Sequence, residues 1–260
     1  MSSVQIKAKI NSNTRISQHC YKLSLAVGAV AKKASPGNFL MVRVSSGVEP
    51  LLRRPLSIHR VNAAQGVVEL LYEVVGSGTQ ALSQKKAYEH VSVIGPLGNS
   101  FVLNSKAEET PVILVAGGMG VAPLMFLAQR LQVGKVTALI GARTSEHILC
   151  ACDFKKLGIV VRIATDDGSC GFHGRVTGLL ENIIADKKQQ GAMLYGCGPK
   201  PMLKAMSGLC SSHGLTAQIS LEAHMACGIG ACLGCAVQTK QGFRRVCKEG
   251  PVFWADELVW

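Results

Sequence analysis

Aromatic and acidic side chains are the scarce residues of this chain: four Tyr, two Trp and seven Phe in 260 positions, and 16 Asp and Glu against 28 Lys and Arg. With so few stacking platforms, and with lysine pairs scattered at 32–33, 85–86, 155–156 and 187–188, the net charge of +12 forms no nucleic-acid-binding stripe or membrane-binding face. A chain that holds phosphate-rich cofactors, or docks an acidic partner, is also basic. Uninterrupted apolar runs are missing too. The longest, "PVILVAGGMGVAPLMFLA" from Pro111 to Ala128, has 18 residues and is broken by Gly117, Gly118, Gly120 and Pro123, so a buried strand, turn and helix explain it better than a membrane span. The polar start, "MSSVQIKAKINSNTRIS", lacks an apolar segment before a small-residue cleavage site. No secretory signal is expected, and the chain is assigned to a reducing cytoplasm.

Cysteine is abundant, with ten residues. In a reducing compartment that number argues for metal ligands and buried free thiols over a disulfide framework. An apolar content of 48% is ample for two domains of ordinary size. Residues 1–103 alternate short apolar runs with turn signals: "VQIKAKI", "HCYKLSLAV", "NFLMVRV", "PLSIHRV", "VVELLYEVV" and "VSVIGPLG". They predict a six-stranded antiparallel barrel. The polar "NSKAEETP", Asn104 to Pro111, marks a boundary. From 110 to 222, continuous apolar strands alternate with helices, among them one with Leu124, Leu127, Ala128 and Leu131 on one face, one from about Thr177 to Lys188, and one carrying Met202, Met206 and Leu209. That rhythm predicts a doubly wound parallel α/β domain. Residues 223–260 show little regular pattern and are too short for a core of their own, so a metal is expected to organise them.

That last segment holds "HMACGIGACLGCAV", in which Cys227, Cys232 and Cys235 are spaced C-x4-C-x2-C, with Cys247 following. The spacing is the plant-type pattern for a 2Fe-2S cluster. Zinc is the alternative, but closed zinc sites usually bring two short cysteine or histidine pairs, and only Cys232 and Cys235 form one. Gly228, Gly230 and Gly234 allow the backbone to curl and aim N–H groups at the sulfurs.

In the barrel region, "RRPLSIH" matches at Arg54, Pro55 and Ser57 the R-x-x-S signature of the ferredoxin reductase superfamily, and so resembles an FAD site. An arginine fork suits a pyrophosphate, and a serine hydroxyl can hydrogen-bond flavin N5. Leu56 lies between them. "LLYEVVGSGTQALS" then places Gly76, Gly78 and Thr79 before a short helix, where N–H groups favour phosphate. Leu71, Tyr72 and Glu73, on the preceding strand, are expected to line the flavin. "VAGGMGVAPL" is not G-x-G-x-x-G but resembles the G-G-x-G-x-x-P turn of the same superfamily through Gly117, Gly118, Gly120 and Pro123. "YGCGPKPML" resembles its C-G-P turn near the nicotinamide, through Gly196, Cys197 and Gly198. Asp166 and Asp167 would repel the extra phosphate of NADP, which favours NAD; Arg143 and Arg175 pull the other way.

Taken together with "MACGIGACLGC" and "RVCKEGPVF", these motifs are similar to those of the electron-transfer subunits of type B dihydroorotate dehydrogenases, over nearly the whole chain. The resemblance implies FAD, a 2Fe-2S cluster held by Cys227, Cys232, Cys235 and Cys247, and NAD, with Ser57 and Cys197 as catalytic candidates. It also implies a partner: an FMN-containing catalytic subunit, two of each in a heterotetramer, oxidising dihydroorotate in pyrimidine biosynthesis and passing electrons through cluster and FAD to NAD. Other FAD and 2Fe-2S reductase subunits, serving ferredoxin or sulfide, are the nearest rivals. A zinc-stapled, non-enzymatic binding module is the rival of another class.

Overall fold

The computed structural model describes residues 3–45, 47–103, 110–131, 135–186 and 189–260. Most of the expected boundary at Asn104–Pro111 lies outside them, as do Lys187 and Lys188. By internal packing the chain divides into two compact units: residues 1–100 with 223–237 and 244–251, and residues 101–222 with 238–243 and 252–260.

In the first unit, β1 (Val4–Arg15), β2 (Cys20–Ala26), β3 (Phe39–Arg43), β4 (Arg54–Asn62), β5 (Val67–Glu73) and β6 (His90–Leu97) close a barrel in the order β1-β2-β5-β4-β3-β6. The apolar runs supply these strands; on β2, Leu23 and Leu25 are fully buried while their neighbours are not, whereas β3 buries Phe39 to Val42 in succession. Two short helices, α1 (Ala29–Lys33) and α2 (Ser77–Ser83), are connections of the barrel. Asn13 fastens the end of α2 to β1, donating from Nδ2 to the carbonyls of Leu82 at 2.9 Å and Lys85 at 3.0 Å.

The second unit carries β7 (Val112–Gly117), α3 (Val121–Ala128), β8 (Val136–Ala142), α4 (Ala151–Lys156), β9 (Val160–Thr165), β10 (Phe172–His173), α5 (Val176–Ile184), β11 (Met193–Cys197), α6 (Lys200–Ser212) and β12 (Thr216–Ser220). The sheet order is β10-β9-β8-β7-β11-β12-β15, with β15 at Val252–Trp254. All its pairs are parallel except β12 with β15. The doubly wound sheet therefore gains an antiparallel edge strand from the end of the chain. α5 buries Val176, Leu180 and Ile184, four residues apart and so on one face. α3 is buried all round, from Val121 to Ala128, where the sequence suggests a single apolar face; its lack of any charged residue fits complete burial.

The segment after residue 223 has more regular structure than its sequence suggests. β13 (Ala236–Thr239) and β14 (Gly242–Arg245) form a hairpin. Within the second unit the chain end is fixed by Lys240 N–H on the Glu257 carbonyl at 2.8 Å and by β15 on β12.

Candidate functional site

The chain order around β7 decides where the second unit can bind a ligand. β7 leads to β8 and β9 on one side, while β11 and β12 lie on the other. An open α/β sheet binds ligands outside the carboxyl ends of its strands at such a reversal. The two glycine motifs sit at these two strand ends, since Ala116 pairs with Cys197. They are also packed together. A Cβ at Gly120 would overlap the Cys197 carbonyl, and one at Gly117 would lie 2.7 Å from Met202 Sδ and 2.8 Å from Pro199 Cδ. Gly118 has φ +53 with open space beside it. Glycine is thus required at 117 and 120 by close approach, and at 118 by backbone conformation. These turns form a cradle that side chains would fill, which fits a dinucleotide held by backbone N–H groups. Pro123 is buried in the first turn of α3.

Cys197 ends β11 and is 1% exposed. Burial drives its thiol far above the usual range, and the Glu222 charge adds to this. It is a neutral group. The Asp167 carboxylate is held below its ordinary value by the Ser169 hydroxyl at 2.6 Å and the Ser169 N–H at 3.0 Å. The N–H groups of Asp166 and Asp167 bond the carbonyls of Ala142 and Arg143, so both aspartates stand beside the C-terminal end of β8.

In the barrel, Arg54, Pro55, Leu56 and Ser57 begin β4, opposite Val42, Met41, Leu40 and Phe39. Leu56 is buried; Arg54, Pro55 and Ser57 are partly exposed. The Arg54 guanidinium donates to the Leu52 carbonyl at 2.5 Å and lies where a Cβ on Gly78 would stand. Gly78 and Thr79, expected before the helix, lie in the first turn of α2, and only Gly76 precedes it; Arg54 and this first turn are thereby brought into one place, a fit to an anionic group that neither motif shows alone. Thr79 serves the turn itself: its Oγ accepts the N–H groups of Val75 at 3.0 Å and Gly76 at 3.3 Å. Tyr72 is 2% exposed, donates its hydroxyl to Asn13 Oδ1 at 2.9 Å, and stacks on Tyr21 at 5.5 Å. Leu71 is buried and Glu73 exposed.

None of the ten cysteines is in a disulfide. Four of them share the first unit's C-terminal loops. Cys235 and Cys247 are buried, Cys227 is half-buried and Cys232 exposed. They come as two pairs, Cys227 with Cys232 and Cys235 with Cys247. Among the described residues no three His, Cys, Asp or Glu converge to hold a single ion. Backbone donors face the sulfurs: Ala231 N–H lies 3.3 Å from Cys227 Sγ, and Cys247 N–H 3.4 Å from Cys235 Sγ. Burial alone would raise the Cys227 thiol, but the N–H groups of Ile229, Cys232 and Ala231 together with the Cys232 side chain bring it down to about 6. Burial raises Cys247 to about 12, and its neighbour Cys235 adds to the rise. Gly228, with φ +71, lies against the Met41 side chain of the barrel. Loop residues with N–H groups turned toward paired thiols fit an iron-sulfur cluster.

Comparison with known proteins matches each of these segments to a domain family. Residues 7–101 match the oxidoreductase FAD-binding domain, 114–208 the oxidoreductase NAD-binding domain, and 222–259 the iron-sulfur cluster binding domain of dihydroorotate dehydrogenase B. The dihydroorotate dehydrogenase B (NAD(+)) electron transfer subunit of Desulforamulus reducens is 41% identical over 259 residues, covering 97% of both chains. That of Caldanaerobacter subterraneus subsp. tengcongensis is 38% identical, covering 98% of this chain and 99% of its own. The chain belongs to this family. A solved structure of an NADH-dependent reduced ferredoxin-NADP oxidoreductase, described in work on flavin-based electron bifurcation, superimposes with a TM-score of 0.87 at 28% identity, covering 98% of this chain and 90% of that one. A ferredoxin reductase in carbazole 1,9a-dioxygenase, 18% identical with a TM-score of 0.69, covers 83% of this chain and 67% of that one and shares the fold. As an electron transfer subunit of this family, the chain is an oxidoreductase subunit with FAD-, NAD- and cluster-binding domains. No helix among the described residues is long and apolar enough to cross a membrane.

The sequence reading gave no role to Asn13, which receives the Tyr72 hydroxyl, or to Arg245 and Glu249, which flank Cys247 in "RVCKEGPVF". Arg245 and Glu249 carried one usable signal, opposite charges four residues apart.

Proposed function

We propose that this chain takes electrons released by dihydroorotate oxidation in a partner subunit and delivers them to NAD, as part of pyrimidine biosynthesis. The observation that carries the reading is the pairing of four thiols, with N–H donors turned toward them, in the same compact unit as the barrel that holds Arg54 and Ser57. A closed zinc site needs four ligands about 2.3 Å from one point; two pairs suit a two-iron centre. When bound, the cluster supplies one-electron transfer and FAD supplies hydride exchange with the nicotinamide. The proposed ligands are Cys227, Cys232, Cys235 and Cys247.

Arg54 and Gly78 bind the flavin pyrophosphate, and Pro55, Leu56, Leu71, Tyr72, Glu73 and Thr79 shape the walls and the turn of its site. Ser57 directs its hydroxyl to N5. Gly117, Gly118, Gly120 and Pro123 seat the NAD pyrophosphate. Gly196, Cys197 and Gly198 border the nicotinamide, where the buried Cys197 excludes water as a neutral thiol. Asp166 and Asp167 favour NAD over NADP. In functional terms residues 1–103 serve FAD, 110–222 serve NAD and 223–260 serve the cluster.

The orotate chemistry belongs to the partner. A flavin dehydrogenase acting on a small ring acid is typically a (β/α)8 barrel of roughly 250 residues, and both described units are accounted for by other folds. The partner is an FMN-containing subunit, in a cytoplasmic heterotetramer of two of each. A second reading, a subunit exchanging electrons between NAD(P)H and ferredoxin, is favoured by the likeness at TM-score 0.87. One experiment separates them. The FAD-loaded chain should reduce an artificial dye with NADH but not oxidise dihydroorotate with NAD; adding the FMN-bearing catalytic subunit should restore dihydroorotate oxidation. Dihydroorotate turnover by the single chain, or no coupling after the subunit is added, would refute the assignment.

A further inference from the structure

Arg245 is joined to more of the cluster loop than any motif suggests. Its Nη1 donates to the Gly230 carbonyl at 2.7 Å. Glu249 orients the guanidinium, accepting from Nε at 3.0 Å and from Nη2, and its Oε2 also accepts the Arg245 N–H at 2.8 Å. The Arg245 carbonyl in turn accepts the N–H groups of Lys248, Glu249 and Gly250 at 3.1, 2.9 and 3.2 Å. This turn is tied to the barrel by Asn99, whose N–H reaches the Gly250 carbonyl at 2.6 Å and whose Nδ2 reaches the Glu249 carbonyl at 2.9 Å.

The Gly230 carbonyl belongs to the peptide whose N–H, on Ala231, lies 3.3 Å from Cys227 Sγ. Arg245 thus holds the carbonyl end of the peptide whose N–H faces Cys227. The conformation at Gly230 needs glycine, since φ is +87. A cation on the carbonyl polarises the peptide and strengthens the N–H bond beyond it. The side chains of Arg245 and Glu249 are 32% and 25% exposed. Their field is therefore less screened than that of charges on an open surface.

We propose that Arg245 is a positioning residue for the iron-sulfur cluster: through the Gly230–Ala231 peptide it fixes the donor to Cys227, and its charge, balanced by Glu249, sets the cluster's reduction potential. This rests on the cluster reading above. Hydrogen bonds to sulfur and nearby positive charge favour the more negative, reduced cluster. Loss of Arg245 leaves Glu249 uncompensated and lowers the potential; loss of Glu249 leaves the cation uncompensated and raises it.

The test uses the full chain loaded with FAD and cluster, with iron and sulfide measured per FAD, and redox titration followed by EPR. Arg245→Gln should shift the potential negative and alter the EPR g-values. Glu249→Gln should shift the potential positive. Arg245→Lys, which keeps the charge but not the fork, should return the potential toward that of the unmodified chain while the g-values stay altered. A purely structural role would lower iron content and leave the potential of the remaining cluster in place. If Arg245→Gln takes up no iron, Glu249→Gln decides: a positive shift supports the proposal, and an unshifted potential overturns it. Unchanged potentials in both loaded variants overturn it as well. Absence of iron and sulfide from the unmodified chain would instead sink the cluster reading.

Discussion

Replacing Gly120 by Ala tests the geometry of the nucleotide turn most directly. The added Cβ would stand 2.8 Å from the Gly198 nitrogen and would overlap the Cys197 carbonyl. An ordinary contact begins near 3.4 Å, so the nitrogen must retreat by about 0.6 Å and the Cys197 carbonyl by more. Neither can retreat freely, because β11 is paired with β7 on one side and β12 on the other up to Cys197. Overpacking of this kind costs about 1–3 kcal/mol, and a rigid backbone neighbour places it near the top of that range. At roughly 2–4 °C per kcal/mol for a chain of this size, the second unit should melt about 6–12 °C lower.

Gly118→Ala is the internal control. Its Cβ meets nothing within 4 Å, and the cost is that of a left-handed conformation at φ +53, about 1–2 kcal/mol. Thermal melting followed by near-ultraviolet circular dichroism, and NADH-dependent dye reduction by the FAD-loaded protein, read both variants. Gly120→Ala should raise the KM for NADH at least about tenfold, the equivalent of about 1.4 kcal/mol, and leave FAD bound, since the barrel is a separate compact unit. A Gly120→Ala protein that melts like the unmodified chain, or a Gly118→Ala protein that is the more damaged of the two, would refute the argument from close approach.

Two other changes probe the barrel and the thiols. Burial, partly offset by the Asn13 hydrogen bond, raises the Tyr72 hydroxyl from 10.0 to about 12. Its contribution is therefore fully present below pH about 10 and is lost as the pH rises toward 12, a step of about 3 kcal/mol at 1.36 kcal/mol per unit. Tyr72→Phe should cost about 1 kcal/mol at neutral pH and flatten the alkaline loss in urea titrations between pH 9 and about 12; an equal alkaline loss in both proteins would contradict the burial argument. Cys232→Ala should abolish iron-sulfur absorption and retain FAD, and iron and sulfide at the unmodified level would remove Cys232 from the ligand set.

The six barrel strands were legible because each is a short apolar run between turn residues, alternating as in "HCYKLSLAV" or continuous as in "NFLMVRV". The alternation of strands and helices after residue 110 was legible for the same local reason. The chain's end was not. β15 pairs with β12, and the loops carrying Cys227 to Cys235 and Cys247 pack in the barrel's unit, through contacts between residues far apart in sequence. Periodicity within a short window carries no trace of such partners. Cysteine spacing named a candidate ligand set, but the pairing of Cys227 with Cys232, and of Cys235 with Cys247, needed the fold.

The motif residues also divide in a way that no motif displays. Thr79 and Tyr72 carry polar atoms that the fold itself engages, at Val75 and Gly76 in one case and at Asn13 in the other. Asp167 likewise shares its carboxylate with Ser169. Removing any of these should act first on local structure and only through it on a cofactor. Gly78 and Gly120 are different, because what they provide is the absence of a side chain where Arg54 and the Cys197 carbonyl approach. A larger residue there displaces the groups proposed to meet phosphate or nicotinamide. The case for ligand binding therefore rests more firmly on these two close approaches than on the polar residues around them, and variants at Gly78 and Gly120 test it more sharply than variants at Tyr72, Thr79 or Asp167.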